Sequence, residues 1–187
     1  MSKILVARSA ELGFIKVVGR GSFQNSGCLK SFYQQLLKEG VHRFVVDLGA
    51  CTYLDSTFLG ILLGLGLKLK DAGNGLLHIL NASPRNLELL KNLGLDRLIH
   101  IDAAPTPAVT ANGEKNNGVP HLPAKNETVS DEQLEEVACP VPTRAEAGPT
   151  ILEAHEALMA FDPRNVPKFK DVVEFLREDL GNSAAQN

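Results

Sequence analysis

Excess charge of one sign, cysteine and long apolar runs are all scarce in this chain. Its 187 residues carry 19 Lys+Arg against 22 Asp+Glu, a net charge of −3. That balance gives no electrostatic case for nucleic acid or an anionic membrane. The three cysteines, Cys28, Cys51 and Cys139, are odd in number and widely spaced. They form no zinc pattern and suit a reducing cytosol better than a disulfide framework. His42, His78, His100, His121 and His155 show no ligand spacing, so neither a metal nor a cofactor is expected. The most apolar run, residues 58–67, soon meets Lys68, Lys70 and Asp71, well short of the ~20 residues that span a bilayer. The N-terminus has no signal-peptide pattern. A soluble, cytoplasmic protein with no membrane insertion is expected.

What is there is organised around residues 43–66, RFVVDLGACTYLDSTFLGILLGLG. Phe44, Val46 and Leu48 alternate with Val45 and Asp47, which predicts a short strand. A loop over 49–54 follows. Asp55, Ser56 and Thr57 are three consecutive side chains able to cap a helix, set directly before an apolar run, and so mark a helix N-terminus. The helix is apolar on nearly every side and is interrupted by Gly60, Gly64 and Gly66. Each glycine costs roughly 1 kcal/mol of helix propensity against alanine, so close backbone packing is their expected use. Two readings of Ser56 stand side by side. It is a helix cap worth roughly 1 kcal/mol, or a chemical handle whose phosphate would sit against the positive end of the helix.

In chain order, residues 3–8 and 14–19 read as neighbouring strands. Asn25 or Ser26 caps a helix on which Leu29, Phe32, Tyr33 and Leu36 share one face, ended by Gly40. Beyond the central helix, residues 76–80 form a strand. Ser83-Pro84 then launches a helix to Leu93 and Gly94, and residues 98–101 form the last strand. The alternation predicts an α/β fold with parallel strands and right-handed crossovers. Residues 103–148 hold six prolines and no aromatic residue, which predicts a disordered insertion. Order should return with a helix over 150–161, striped by Ile151, His155, Leu158 and Met159, and a second over 166–180. The expected organisation is a core at 1–102, the insertion at 103–148 and C-terminal helices at 149–181. The first of these would dock back on the core, and the second either extends that docking or supplies a homodimer contact.

Asp47-Leu48, Asp55-Ser56-Thr57, Leu59-Gly60, Ser83-Pro84 and Gly94-Leu95 occur in the order and spacing of one known family. Over about residues 3–102 the chain resembles the STAS domain of bacterial anti-sigma factor antagonists. The resemblance implies a STAS-type mixed sheet with helices mainly on one face, closed by the helix at 150–161. Two departures accompany it. Phe58 stands where the family has glycine, and Gly19-Arg20-Gly21-Ser22 replaces a stretch that often reads Gly-Glu-Leu-Asp.

The resemblance also implies a function. Such antagonists bind an anti-sigma factor that is also a serine kinase, and are switched off by phosphorylation of the serine after the Asp, here Ser56, with Thr57 the lesser candidate. A phosphatase resets them. Asp55, Ser56, Thr57, Phe58, Ile61 and Ser22 are then the expected partner-binding residues. An alternative is a constitutive STAS scaffold or subunit, in a stress-signalling complex or a transport system, that never carries phosphate. A serine hydrolase is disfavoured because no Gly-x-Ser-x-Gly surrounds Ser56 and no histidine is near it in sequence, so no catalytic residue is assigned.

Overall fold

A computed structural model describes residues 2–9, 11–104 and 131–184. Two antiparallel strands open the chain, β1 (Lys3–Arg8) and β2 (Leu12–Gly21), in register from Lys3↔Val18 to Arg8↔Gly13. Helix α1 (Phe23–Lys38) leads to β3 (Arg43–Asp47), and the short β4 (Cys51–Leu54) feeds α2 (Ser56–Asp71). Next come β5 (Leu76–Ala82), α3 (Pro84–Asn92), a 3-10 turn at Leu95–Arg97, and β6 (His100–Ala103). After residues 105–130 come β7 (Glu135–Glu136), α4 (Arg144–Phe161) and α5 (Val166–Ala184). The strands lie in the order β6-β5-β3-β2-β1-β7, with β4 paired to the end of β2. β2, β3, β5 and β6 run parallel, while β1 and β7 are antiparallel additions at one side. This is an α/β fold with a mixed sheet.

The period-two pattern decides which sheet face is covered. Ile15, Val17, Phe44, Val46, Leu77 and Ile79 are buried under the helices, while Val45 and His78, between them, are only half-buried. Helix α2 is packed by α1, β5 and α4, and every residue from Thr57 to Leu63 is buried. Its all-round apolar surface therefore fills the interior. Gly60 lets α4 come close, since a Cβ there would lie 2.4 Å from the Ala154 carbonyl oxygen.

Five expectations change. The loop at 49–54 contains β4, which continues the sheet beside the end of β2. Helix α1 starts one turn early, at Ser22, whose N–H donates to Asn25 Oδ1. Helix α4 begins at Arg144 rather than residue 150. Thr143 caps it by accepting from the Glu146 N–H, and the Glu146 carboxylate accepts from the Thr143 N–H, so Pro149 lies inside the helix rather than at its start. The stretch 131–148, placed in the disordered insertion with room only for a brief helical turn over 131–137, holds a 3-10 turn at Asp131–Gln133, and also β7 and the first turns of α4. The rest of the expected insertion, 105–130, lies outside the described residues. β7 pairs with β1, the Val137 N–H donates to the Ile4 carbonyl at 2.9 Å, and Lys3 pairs with Glu136 at 2.6 Å. A disulfide joins Cys28 on α1 to Cys139, which corrects the expectation that no two cysteines pair. Cys51 is free and buried, and burial pushes its thiol pKa up.

The turn between α4 and α5 is pinned to the core by polar contacts. Asn165 Nδ2 donates to the carbonyls of Leu93 and Leu158. The buried Asp162 accepts from Arg164 at 2.7 Å and from Arg97 at 2.5 Å. Hydrogen bonds from Arg164, aided by the charges of Arg164 and Arg97, hold its carboxyl at about 2. A depressed carboxyl contributes stability above its unfolded value, 3.8, and loses it as pH falls through about 2. Asp162→Asn is therefore expected to lower the melting temperature at neutral pH. The gap to wild type should close between about pH 4 and pH 2. A gap that stays constant across that window would remove the ionised Asp162 from the account.

Candidate functional site

The tip where β4 hands over to α2 is built by one carboxylate serving two helices. Asp55 Oδ1 accepts from the Phe58 N–H at 2.9 Å and caps α2, while Oδ2 accepts from the Phe23 N–H at 2.8 Å in the first turn of α1. The Asp55 N–H in turn donates to the Gly21 carbonyl at 3.0 Å. A carboxylate is favoured at both positive helix ends, so this acid locks the end of β2 and the start of α1 to the start of α2. Asp47 does related work one loop earlier. Its Oδ1 accepts from the Gly49 N–H and from Asn81 Nδ2, holding Asn81 in a left-handed conformation (φ 56°).

Ser56 is the first residue of α2, and it is not free. Its Oγ lies 2.9 Å from Nε2 of His155 on α4. The His155 Nδ1 sits 2.7 Å from the Ile151 carbonyl oxygen, an acceptor only. Nδ1 therefore carries the proton in the neutral ring, and the Ser56 hydroxyl donates to Nε2. His155 is 5% exposed and meets Phe169 of α5 edge-on at 4.8 Å between ring centroids. A groove of about 480 Å³ continues from Ser56 between α2, α3 and α5, lined by Leu59, Leu89, Leu93, Lys168 and Phe169 among others. Lys168 Nζ there donates to the Asn92 carbonyl and Asn165 Oδ1. Sequence reasoning found Ser56 and missed His155, which is 99 residues away.

The Ser–His contact has the distance of a nucleophile and its base. However, the far ring nitrogen is committed to a backbone carbonyl rather than a carboxylate. Its evident work is to hold α4 against the tip.

The six expected partner-binding residues divide sharply by exposure. Asp55 and Ser56 are half-buried at the tip. Ser22, Thr57, Phe58 and Ile61 are 7%, 4%, 0% and 2% exposed. The Phe58 ring lies in the core beneath Gly21, where an added Cβ would be 3.0 Å from it. Phe58 and Ile61 are therefore corrected from contact surface to core. The groups exposed around the tip are Phe23, 41% exposed, with Arg20 and Arg85. The Arg20 guanidinium stands 4.4 Å over the Tyr53 ring and that of Arg85 5.8 Å from it. Where the family resemblance led one to expect acid, this rim is cationic and aromatic.

Among solved structures, the chain is similar to the anti-sigma factor antagonist SpoIIAA in its unphosphorylated form, at 19% identity and a TM-score of 0.45. That match covers 54% of this chain and 87% of the other. The phosphorylated form of the Bacillus cell fate determinant SpoIIAA matches at 18% identity and 0.45, covering 54% and 91%. An anti-sigma factor antagonist from Mycobacterium paratuberculosis matches at 21% identity and 0.48, covering 57% and 88%. Among the described residues, no helix is long and apolar enough to cross a membrane. The family model described as "Mlab, STAS domain" matches residues 4–100, more than half of the sequence. With the Asp55 tip and the parallel strands that carry it inside residues 4–100, this chain belongs to the STAS-domain family.

Proposed function

We propose that this chain is a protein-binding switch of the anti-sigma factor antagonist kind, with Ser56 as the phosphorylated residue. Its partner is an anti-sigma factor or related serine kinase, and a phosphatase resets it. The observation that carries the reading is the place of Ser56, at the start of α2, beside Asp55, with its hydroxyl hydrogen-bonded to His155.

Phosphorylation adds about −1.5 to −2 charges and three acceptor oxygens. The start of α2 tolerates that charge because the helix dipole favours it. The 2.9 Å contact to His155 has no room for a phosphoryl group, so α4 and Phe169 of α5 must shift. Cationic Lys168 on the same groove is a ready counter-charge. The switch thus alters both the partner-facing tip and the seating of the C-terminal helices. The exposed rim of Arg20, Phe23 and Arg85 replaces Phe58 and Ile61 as the contact surface.

The second reading is a constitutive STAS scaffold or subunit. It is favoured by the same contact, because a hydroxyl held by His155 beneath α5 is poorly presented to a kinase. Intact mass and a phosphate-sensitive gel on protein from its own cells separate the two. One phosphate is expected on wild type and none on Ser56→Ala. Ser56→Asp is expected to weaken partner binding at least about tenfold, or 1.4 kcal/mol, while Ser56→Ala binds like wild type. Unmodified protein in cells together with equal affinities for the two variants would establish the constitutive reading.

A further inference from the structure

Away from the Ser56 tip, the parallel ladder gathers three side chains that are scattered in sequence. The register places His78 on β5 directly opposite His100 on β6. Residues opposite each other in a ladder share a face, and so do residues two apart on one strand. Asp102 therefore joins the pair. This is the face turned from the helices, because Leu77 and Ile79, which flank His78, enter the core. His78 Nε2 lies 2.9 Å from Asp102 Oδ2, and His100 Nε2 lies 3.4 Å from Asp102 Oδ1. The two rings meet edge-on at 4.6 Å between centroids. One donor atom from each residue lies within 4.8 Å of the other two.

We infer that His78, His100 and Asp102 form a three-ligand site for a late first-row divalent cation, with zinc as the reference ion. Zinc bonds to nitrogen and oxygen at about 2.0–2.1 Å in tetrahedral geometry, which sets donor atoms roughly 3.3 Å apart. The two histidine–aspartate spacings, 2.9 Å to Oδ2 and 3.4 Å to Oδ1 of the one carboxylate, lie near that value. Two imidazoles and one carboxylate suit zinc, nickel, copper or cobalt better than calcium or magnesium, which prefer all-oxygen shells.

Exposure fits an open site. The His78 side chain is 12% exposed and so is held in place, while His100 at 44% and Asp102 at 53% face solvent. Three protein ligands with water in the fourth position is the arrangement of zinc sites that remain reactive or exchangeable. A bound ion replaces the two histidine–aspartate contacts and clamps β6, the edge strand, to β5. The site is independent of the Ser56 reading, since no residue is shared with it.

The test uses untagged full-length protein, stripped with EDTA and titrated with zinc sulfate by calorimetry. Cobalt absorption then reports the geometry. Wild type should bind one zinc per chain and melt at a higher temperature with zinc than with EDTA. His100→Asn and Asp102→Asn, both on exposed side chains, should melt like wild type in EDTA but bind zinc at least about tenfold more weakly. The expected cobalt spectrum is that of a tetrahedral site in wild type, lost in both variants. No binding at millimolar zinc, or wild-type affinity in both variants, would overturn the proposal and leave the trio as a hydrogen-bonded surface cluster.

Discussion

Phe58→Ala is expected to cost about 3–5 kcal/mol of unfolding free energy, the usual range for deleting a fully buried ring. That is a large share of the roughly 5–15 kcal/mol that holds a domain together. The ring is 0% exposed and packs beneath Gly21, where β2 ends. Truncation would leave a void between the tip and the core, because the Gly21 backbone is held in place by its bond from Asp55. Urea titration checks this, with the midpoint falling and the slope unchanged. The same substitution separates two roles for the glycine-to-phenylalanine departure. A loss of this size makes Phe58 a core residue that steadies the tip from below. A loss near zero with weakened partner binding would return the ring to the contact surface.

Local chemistry was readable in the sequence, and chemistry assembled from distant residues was not. The start of α2 was legible because a capping residue and the amides it serves lie within three positions, as in Asp55 to Phe58. The start of α3 was legible because Ser83-Pro84 carries its own signal. The 150–161 helix was seen but entered too late. Its true cap, Thr143 with Glu146, is a plain capping box, but it falls within 103–148, which its prolines marked as disordered. β7 is two residues long and has no periodicity to detect. Phe58 was misplaced because a helix apolar on all sides does not reveal which face meets a partner.

Tertiary pairings follow the same rule. His155 lies 99 residues from Ser56 and Cys139 lies 111 from Cys28. His78 and His100 become neighbours only once the β5–β6 register is known. The family resemblance did carry the core topology and the location of the tip. It carried nothing about Lys168 or Phe169, because α5 lies beyond the span that the family covers.

Two glycine-to-alanine changes one turn apart on α2 should give opposite results. At Gly64 an added Cβ meets only the Tyr33 hydroxyl, at 3.8 Å, an ordinary contact. Gly64→Ala should therefore gain up to about 1 kcal/mol from helix propensity. At Gly60 the same atom would lie 2.4 Å from the Ala154 carbonyl oxygen and 2.7 Å from its carbon. That neighbour is the backbone of α4 and cannot rotate away, so the two helices must separate. The cost should reach about 3 kcal/mol, the upper part of the range for overpacking, despite the gain in propensity. Ala154 and Leu158 lose their fit, and His155 draws back from Ser56, since all three ride on α4. Thermal unfolding of both variants measures the contrast. Limited proteolysis of Gly60→Ala should in addition cut near the α4–α5 turn faster than in wild type. If Ser56 is the switch, phosphate incorporation there should rise in Gly60→Ala and stay unchanged in Gly64→Ala. Equal stability in the two variants would mean that α4 does not seat on Gly60, and the covered state of Ser56 would fall with it.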